Sequence, residues 1–205
     1  MTGGMVNIAV FVSGGGTNLQ ALIDAERRGS LAHGRLSLVM SSRDGVLALD
    51  RAHAAGIETA VVGSVQYPDR AERERVMLDI LSSRGIDMIV LAGYLSILSS
   101  DFTERYPRRI INVHPSLIPS FCGEGFYGLR VHEEALRRGV RVTGATVHFV
   151  NEIPDGGEII MQRAVSVRPG DTPEILQQRV MKQAEWRLLP AATELVAREI
   201  AAGRG

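Results

Sequence analysis

Short apolar runs alternate along the chain with segments of helical period. Met5–Val12, Arg35–Met40, Thr59–Val62, Ile86–Leu91 and Arg109–Val113 are brief and mostly apolar. That is the pattern of strands buried on both faces. Between them, Asn18–Arg27 places Leu19, Leu22 and Ile23 on one helical face. Gly45–Ala55 is rich in Ala and Leu, and Asp69–Ser83 gathers Val76, Met77, Ile80 and Leu81 on one side of a charged helix. Ser99–Tyr106 reads as a shorter helix stopped by Pro107. Alternating strands and helices predict a parallel sheet with right-handed crossovers.

The last third follows another rule. Val142–Val150 and Glu158–Val167 are two strand-like runs joined by Asn151–Gly157 with no helix between them. Strands in direct succession predict an antiparallel addition to the sheet. Thr172 and Pro173 form an N-cap and first-turn pair for a long final helix. Its expected core face is Ile175, Leu176, Val180, Leu188 and Leu189, with a kink or break at Pro190. The expected fold is therefore α/β: a doubly wound, mostly parallel sheet with C-terminal antiparallel strands and a long final helix. The stretch from Val165 to Pro173 is the one candidate break, and residues 1–205 are read as a single domain.

Composition narrows the class. Hydrophobic residues are 45% and charged residues 22%, which excludes a disordered or fibrous chain. The formal net charge is zero, so no nucleic-acid partner is expected. The single Cys, Cys122, excludes an internal disulfide framework and fits a reducing compartment. Met5–Val12 is too short for a signal peptide, and no run reaches a membrane span, so a cytoplasmic protein without membrane contact is expected.

Ser13-Gly14-Gly15-Gly16-Thr17-Asn18 follows an apolar strand and opens a helix. Glycines let backbone N–H groups point inward, and the helix N-terminus favours an anion. The dinucleotide fingerprint fails, because Leu19 holds the third glycine position. A P-loop fails for want of the following Lys. A monophosphate ester fits better than NAD or ATP.

Asn112-Val113-His114-Pro115-Ser116 sits at the end of a predicted strand, where open α/β sheets bind ligands. Residues two apart on a strand share a face, so an amide donor and an imidazole converge. That pair suits a carbonyl whose oxygen becomes negative in the transition state. Asp155 lies in the turn Pro154-Asp155-Gly156-Gly157; if it folds back onto His114 it raises the imidazole pKa and orients the ring. His33 and His53 read as surface residues, His132 as an early residue of a helix beside Glu133 and Glu134, and His148 as structural. No histidine pair has metal-ligand spacing, so no metal is expected. Ser116 lacks a nucleophile elbow, and Cys122 reads as a loop thiol.

These residues resemble a known family, the folate-dependent phosphoribosylglycinamide formyltransferases. The matching pieces are VSGGGTNLQALID (12–24), LAGYLSILS (91–99), NVHPSLIPSF (112–121), GATVHFV (144–150), DGGEIIMQ (155–162) and Glu185 ahead of Leu189-Pro190. The resemblance implies a Rossmann-like formyltransferase fold acting in purine biosynthesis. It implies transfer of a formyl group from 10-formyltetrahydrofolate, as cosubstrate, to the amine of glycinamide ribonucleotide. Asn112, His114 and Asp155 match the catalytic trio, with a protonated His114 supporting a tetrahedral intermediate. Gly16, Thr17 and Asn18 match the ribonucleotide phosphate loop, and Glu185 an acid on the ribose. Arg70, Leu95, Ser96, Ile97, Leu98, Asn112 and the loop Asn151, Glu152, Ile153, Pro154, Asp155 match the folate site. Leu91, Ile97, Leu98 and Val150 would line a flat pterin pocket, and a homodimer is compatible with this reading.

Four features depart from the family pattern. Ser96 stands where many relatives carry a basic residue, Phe121–Leu129 is longer than a short Pro-Gly turn, Trp186 replaces a common His, and the spacing from Arg179 to Glu185 is one residue long. Three rival readings remain at this level. A formyltetrahydrofolate hydrolase shares the trio, but the glycine loop begins already at Ser13, leaving no room for a regulatory domain ahead of it. Formyl transfer to methionyl-tRNA is disfavoured by zero net charge and the missing basic domain. The third is a non-catalytic nucleotide sensor on the same fold.

Overall fold

The computed structural model describes residues 4–203. Seven strands form one sheet: β1 (Val6–Val12), β2 (Gly34–Ser41), β3 (Glu58–Val61), β4 (Met88–Leu91), β5 (Ile110–His114), β6 (Val142–Phe149) and β7 (Ile159–Ser166). The spatial order is β3-β2-β1-β4-β5-β6-β7. The pairs from β3 to β5 are parallel, while β5–β6 and β6–β7 are antiparallel. The chain order reverses between β1 and β4, which opens the crevice where such sheets bind ligands.

The helices are α1 (Thr17–Arg27), α2 (Leu47–Ala54), α3 (Arg70–Ser83), α4 (Ser100–Thr103), α5 (Leu129–Arg137), α6 (Pro173–Val180) and α7 (Trp186–Ala201). They cover both faces. Ile8, Val10 and Val12 of β1 enter one core with Leu19 and Leu22 of α1 and Leu189 of α7. Ala9 and Phe11 enter the other with Met77 and Leu81 of α3 and Phe102 of α4. The two-residue period of the strand thus feeds two hydrophobic layers, which is why β1 reads as continuously apolar. None of the described helices is long and apolar enough to cross a membrane.

Several local expectations need correction. The helix expected over Ser99–Tyr106 is one turn, capped by Ser99, whose Oγ accepts from the Phe102 amide. Ile86 and Asp87 precede β4 rather than belonging to it, and the Asp87 carboxylate accepts from the Asn7 amide. Ile175 is exposed, so the core face of α6 is Leu176 and Val180. Helix α7 continues unbroken through the buried Pro190. The irregularity lies one turn earlier, in a π-turn at Met181–Glu185. A π-turn absorbs one extra residue within a helix. That is where the long spacing from Arg179 to Glu185 goes: Arg179 keeps its buried ion pair with Asp171, and Glu185 still faces α1.

Candidate active site

The glycine loop ends at Gly16, whose φ of 70° places it in the left-handed region. A Cβ there would come within 2.8 Å of Ala48 in α2, so this position needs glycine twice over. A Cβ on Gly14 or Gly15 would meet nothing. Because the N-cap residue is Gly16, no side chain caps α1, and its first turn carries no acid. The caps of α3, α4 and α6 are filled by Asp69, Ser99 and Thr172. The first-turn N–H groups of α1, like those of α2 and α5, have no side-chain cap.

Behind the loop, the Asn18 Nδ2 amide donates to Oε2 of the buried Glu185 at 2.7 Å. The Asn18 amide oxygen is buried without a partner. One of the two Asn18 amide hydrogens is thus held by Glu185. Burial pushes the Glu185 carboxyl up to about 6, against the pull of the Asn18 hydrogen bond. Thr17 lines a separate hollow of about 310 Å³ with Gln20, Arg51 and Trp186.

Asn112 and His114 end β5. Ile111 and Val113 point into one core, so their alternates Asn112 and His114 share the opposite face. The connection from β6 to β7 folds back and delivers Asp155 to them. This turn requires its sequence. Asp155 has a φ of 56°, a region that Asp tolerates better than most residues. A Cβ on Gly156 would strike Ile153, and one on Gly157 would overlap the Phe149 carbonyl.

Four side chains meet there. Asp155 Oδ2 lies 3.4 Å from His114 Nδ1 and accepts from the Gly123 amide at 2.9 Å. Its Oδ1 lies 3.5 Å from both Asn112 Nδ2 and His148 Nε2. Asn112 Nδ2 is also 3.2 Å from His148 Nε2. A carbonyl can only accept, so the contacts of His148 Nδ1 with the Phe149 carbonyl and of His114 Nε2 with the Phe121 carbonyl assign protons to those two nitrogens. In the neutral ring His148 Nε2 accepts from the Asn112 amide, and when it carries a proton it faces Asp155 Oδ1 as a donor. In the neutral ring, His114 Nδ1 turns its lone pair toward Asp155 and is poised to take up a proton.

The electrostatics revise one expectation. Burial lowers the pKa of His114, and this outweighs the opposing pull of Asp155 and the Phe121 carbonyl. The free protein therefore holds His114 neutral near pH 7, rather than as an imidazolium. Burial alone would raise Asp155, but His148, His114 and the Gly123 amide together hold it below the usual carboxylate range.

A cleft of about 710 Å³ opens over this cluster. Asn112, His114, Asp155, Leu95, Ser96, Ile97, Leu98, Asn151, Ile153 and Pro154 all line it, as do Leu91 and Val150. Arg70 and Glu152 do not: Arg70 pairs with Glu74, whose carboxylate accepts from Ser99 at the end of the 95–98 segment. Gly16, Thr17, Asn18 and Glu185 also lie outside its wall. Arg43, Phe126 and Tyr127 are lining residues that the sequence reading missed.

Two further histidines lie close to this region. His148 belongs to the cluster, because β6 pairs antiparallel with β5 and sets its Cα opposite Asn112. Pairing the two strands in that register would have revealed it. His132, early in α5 as expected, is fully buried with neither ring nitrogen partnered. Among the described residues no group of His, Cys, Asp and Glu could hold a metal ion.

A doubly wound sheet with an asparagine, a histidine and an aspartate meeting at its crevice defines a class. The sequence profile of the formyl transferases matches residues 6–193, and the chain belongs to that family. More particular likenesses follow. The chain is 39% identical over 186 residues to phosphoribosylglycinamide formyltransferase of Haemophilus influenzae, covering 91% of this chain and 84% of that one. It is 44% identical over 190 residues to the human trifunctional purine biosynthetic protein adenosine-3, covering 93% of this chain. It spans only 18% of that protein's length. The crystal structure of glycinamide ribonucleotide transformylase 1 from Geobacillus kaustophilus superposes with a TM-score of 0.87 at 37% identity, covering 94% of this chain and 99% of that one. The enzyme of the same name from Symbiobacterium toebii gives 0.88 at 40%, covering 95% and 88%.

Proposed function

We propose that this protein transfers the formyl group of 10-formyltetrahydrofolate to the amine of glycinamide ribonucleotide, a step of purine biosynthesis. The observation that carries the reading is the meeting of Asn112, His114 and Asp155 beneath a cleft, on the same sheet edge as an uncapped helix behind a glycine loop. The ribonucleotide phosphate takes the free N–H groups of α1, and Glu185 faces the ribose. The pterin takes the apolar wall of Leu91, Ile97, Leu98 and Val150.

The amine attacks the formyl carbon, and the carbonyl oxygen becomes an oxyanion. Asn112 turns one amide hydrogen to it, the one that spans a loose 3.5 Å to Asp155 in the free protein. His114 takes up at Nδ1 the proton lost by the attacking nitrogen, Asp155 stabilises the imidazolium, and the imidazolium passes that proton on to the departing folate nitrogen. The nucleophile's nitrogen gives up one proton, and the departing folate nitrogen receives one as its bond to carbon breaks. No covalent enzyme intermediate is required. The lone cysteine, Cys122, is free, and we place the reaction in the cytoplasm.

The test is release of tetrahydrofolate from 10-formyltetrahydrofolate with and without glycinamide ribonucleotide. Release only with the ribonucleotide supports transfer. Equal release in its absence identifies a hydrolase, and no release in either case removes the assignment.

A further inference from the structure

Ser13 is the last residue before the glycines, and its side chain is buried although the loop is not. Its Oγ accepts the Leu95 backbone N–H at 3.0 Å and lies 2.7 Å from Ser42 Oγ. Either hydroxyl can donate in the contact with Ser42. One side chain thus ties together the chain segments leaving β1, β2 and β4.

The segment after β4 needs such a tie. Tyr94 anchors one end against Phe11 in the core, at 5.3 Å between ring centroids. Leu98 is buried, and the Ser99 backbone amide donates to Glu74 at the other end. Between these anchors, Leu95 and Ile97 are more than half exposed on the cleft wall. The Leu95 N–H is the point where this span is held, and what holds it is the first residue of the phosphate loop.

We propose that Ser13 is a positioning residue that couples the two substrate sites through its hydrogen bond to Leu95. This rests on the proposed formyl transfer. A phosphate bound by the loop fixes Gly14–Gly16, and therefore Ser13. Ser13 fixes the Leu95 amide, so the 95–98 wall is ordered before the folate arrives. The second ligand then meets a smaller ordering cost, which is positive cooperativity without a large movement. By reciprocity, folate must tighten ribonucleotide binding by the same factor.

Calorimetric titration of tetrahydrofolate into the whole chain, with and without saturating glycinamide ribonucleotide, reads this coupling without turnover, since neither ligand carries a formyl group. One hydrogen bond at stake sets the scale, a ratio of about three- to tenfold. The wild type is expected to show that ratio. Ser13→Ala is expected to bind each ligand alone and bring the ratio to one. Ser42→Ala, which leaves the Ser13–Leu95 bond intact, is expected to keep it. Ser13→Cys, which retains the size but weakens the acceptor, is the variant to use if alanine disturbs the fold, and it too should lower the ratio. A wild-type ratio of one, or an unchanged ratio in the Ser13 variants, overturns the proposal while leaving formyl transfer standing. Failure of both ligands to bind the wild type would instead remove the functional reading on which it rests.

Discussion

Asn18 and Glu185 stand 167 residues apart in the chain and 2.7 Å apart in space. The contact joins the start of α1 to the π-turn before α7, and it buries a carboxyl whose pKa is pushed up to about 6 by desolvation. A carboxyl raised from its ordinary 4.5 keeps its proton longer in the folded state than in the unfolded one. Stability therefore falls as pH climbs from the unfolded to the folded pKa, by on the order of 2 kcal/mol in total. Glu185→Gln should be more stable than the wild type near pH 8, with the advantage gone near pH 4, and should bind the ribonucleotide more weakly. Thermal melts at the two pH values, with calorimetry, check both halves. An advantage that does not change with pH would mean the carboxyl is not perturbed.

In the proposed mechanism Asn112 donates to the developing oxyanion. Replacing it with alanine should lower turnover by about 100- to 1,000-fold. The affinity for glycinamide ribonucleotide should change little, because in the proposed reading the loop and Glu185 hold that ligand. Steady-state rates beside equilibrium binding separate the two effects, and a loss confined to binding would move Asn112 out of the chemistry.

Of the three loop glycines, only Gly16 meets another residue where a Cβ would go. Gly16→Ala should destabilise the fold by about 1–3 kcal/mol through its left-handed backbone and the contact with Ala48, and should weaken phosphate-ester binding. Gly14→Ala should stay within about 0.5 kcal/mol of the wild type. Urea unfolding of both variants tests the contrast, and equal losses would contradict it.

His132 is buried with both ring nitrogens unpartnered, and burial, with the nearby His114, lowers its pKa from 6.5 to about 4. The unfolded chain takes up this proton at a higher pH than the folded one. The stability it supports is complete above pH 6.5 and is lost as pH falls toward 4, by roughly 3 kcal/mol. A series of melts should show this slope in the wild type and a shallower one in His132→Leu. Identical slopes would place the acid sensitivity elsewhere.

The central strands β1, β2 and β4 were legible because each is a short apolar run whose residues divide between two cores, so almost any reading of hydrophobicity finds them. The final helix was read less well. Ile175 carries the right period but falls at the solvent edge of α6, and a π-turn has no propensity signature; only the long spacing from Arg179 to Glu185 hinted at it. Asn112 and His114 could be paired from strand geometry alone, since they lie two apart at a strand end. The approach of Asp155 could not, because the turn that delivers it is fixed by close packing of Gly156 and Gly157. His148 was hidden for a related reason: its partner lies on another strand, and register becomes visible only once the pairing is known. The sign of the His114 shift escaped because a nearby carboxylate can be inferred from sequence, whereas the depth of burial opposing it cannot.

In the proposed reaction Asp155 serves the chemistry by stabilising the protonated form of His114. Asp155→Asn keeps the size of the side chain and removes its charge. Turnover of 10-formyltetrahydrofolate with glycinamide ribonucleotide should then fall by orders of magnitude, while the dissociation constant of the ribonucleotide stays within about threefold of the wild type. Turnover equal to the wild type, with both substrates bound normally, would contradict the account.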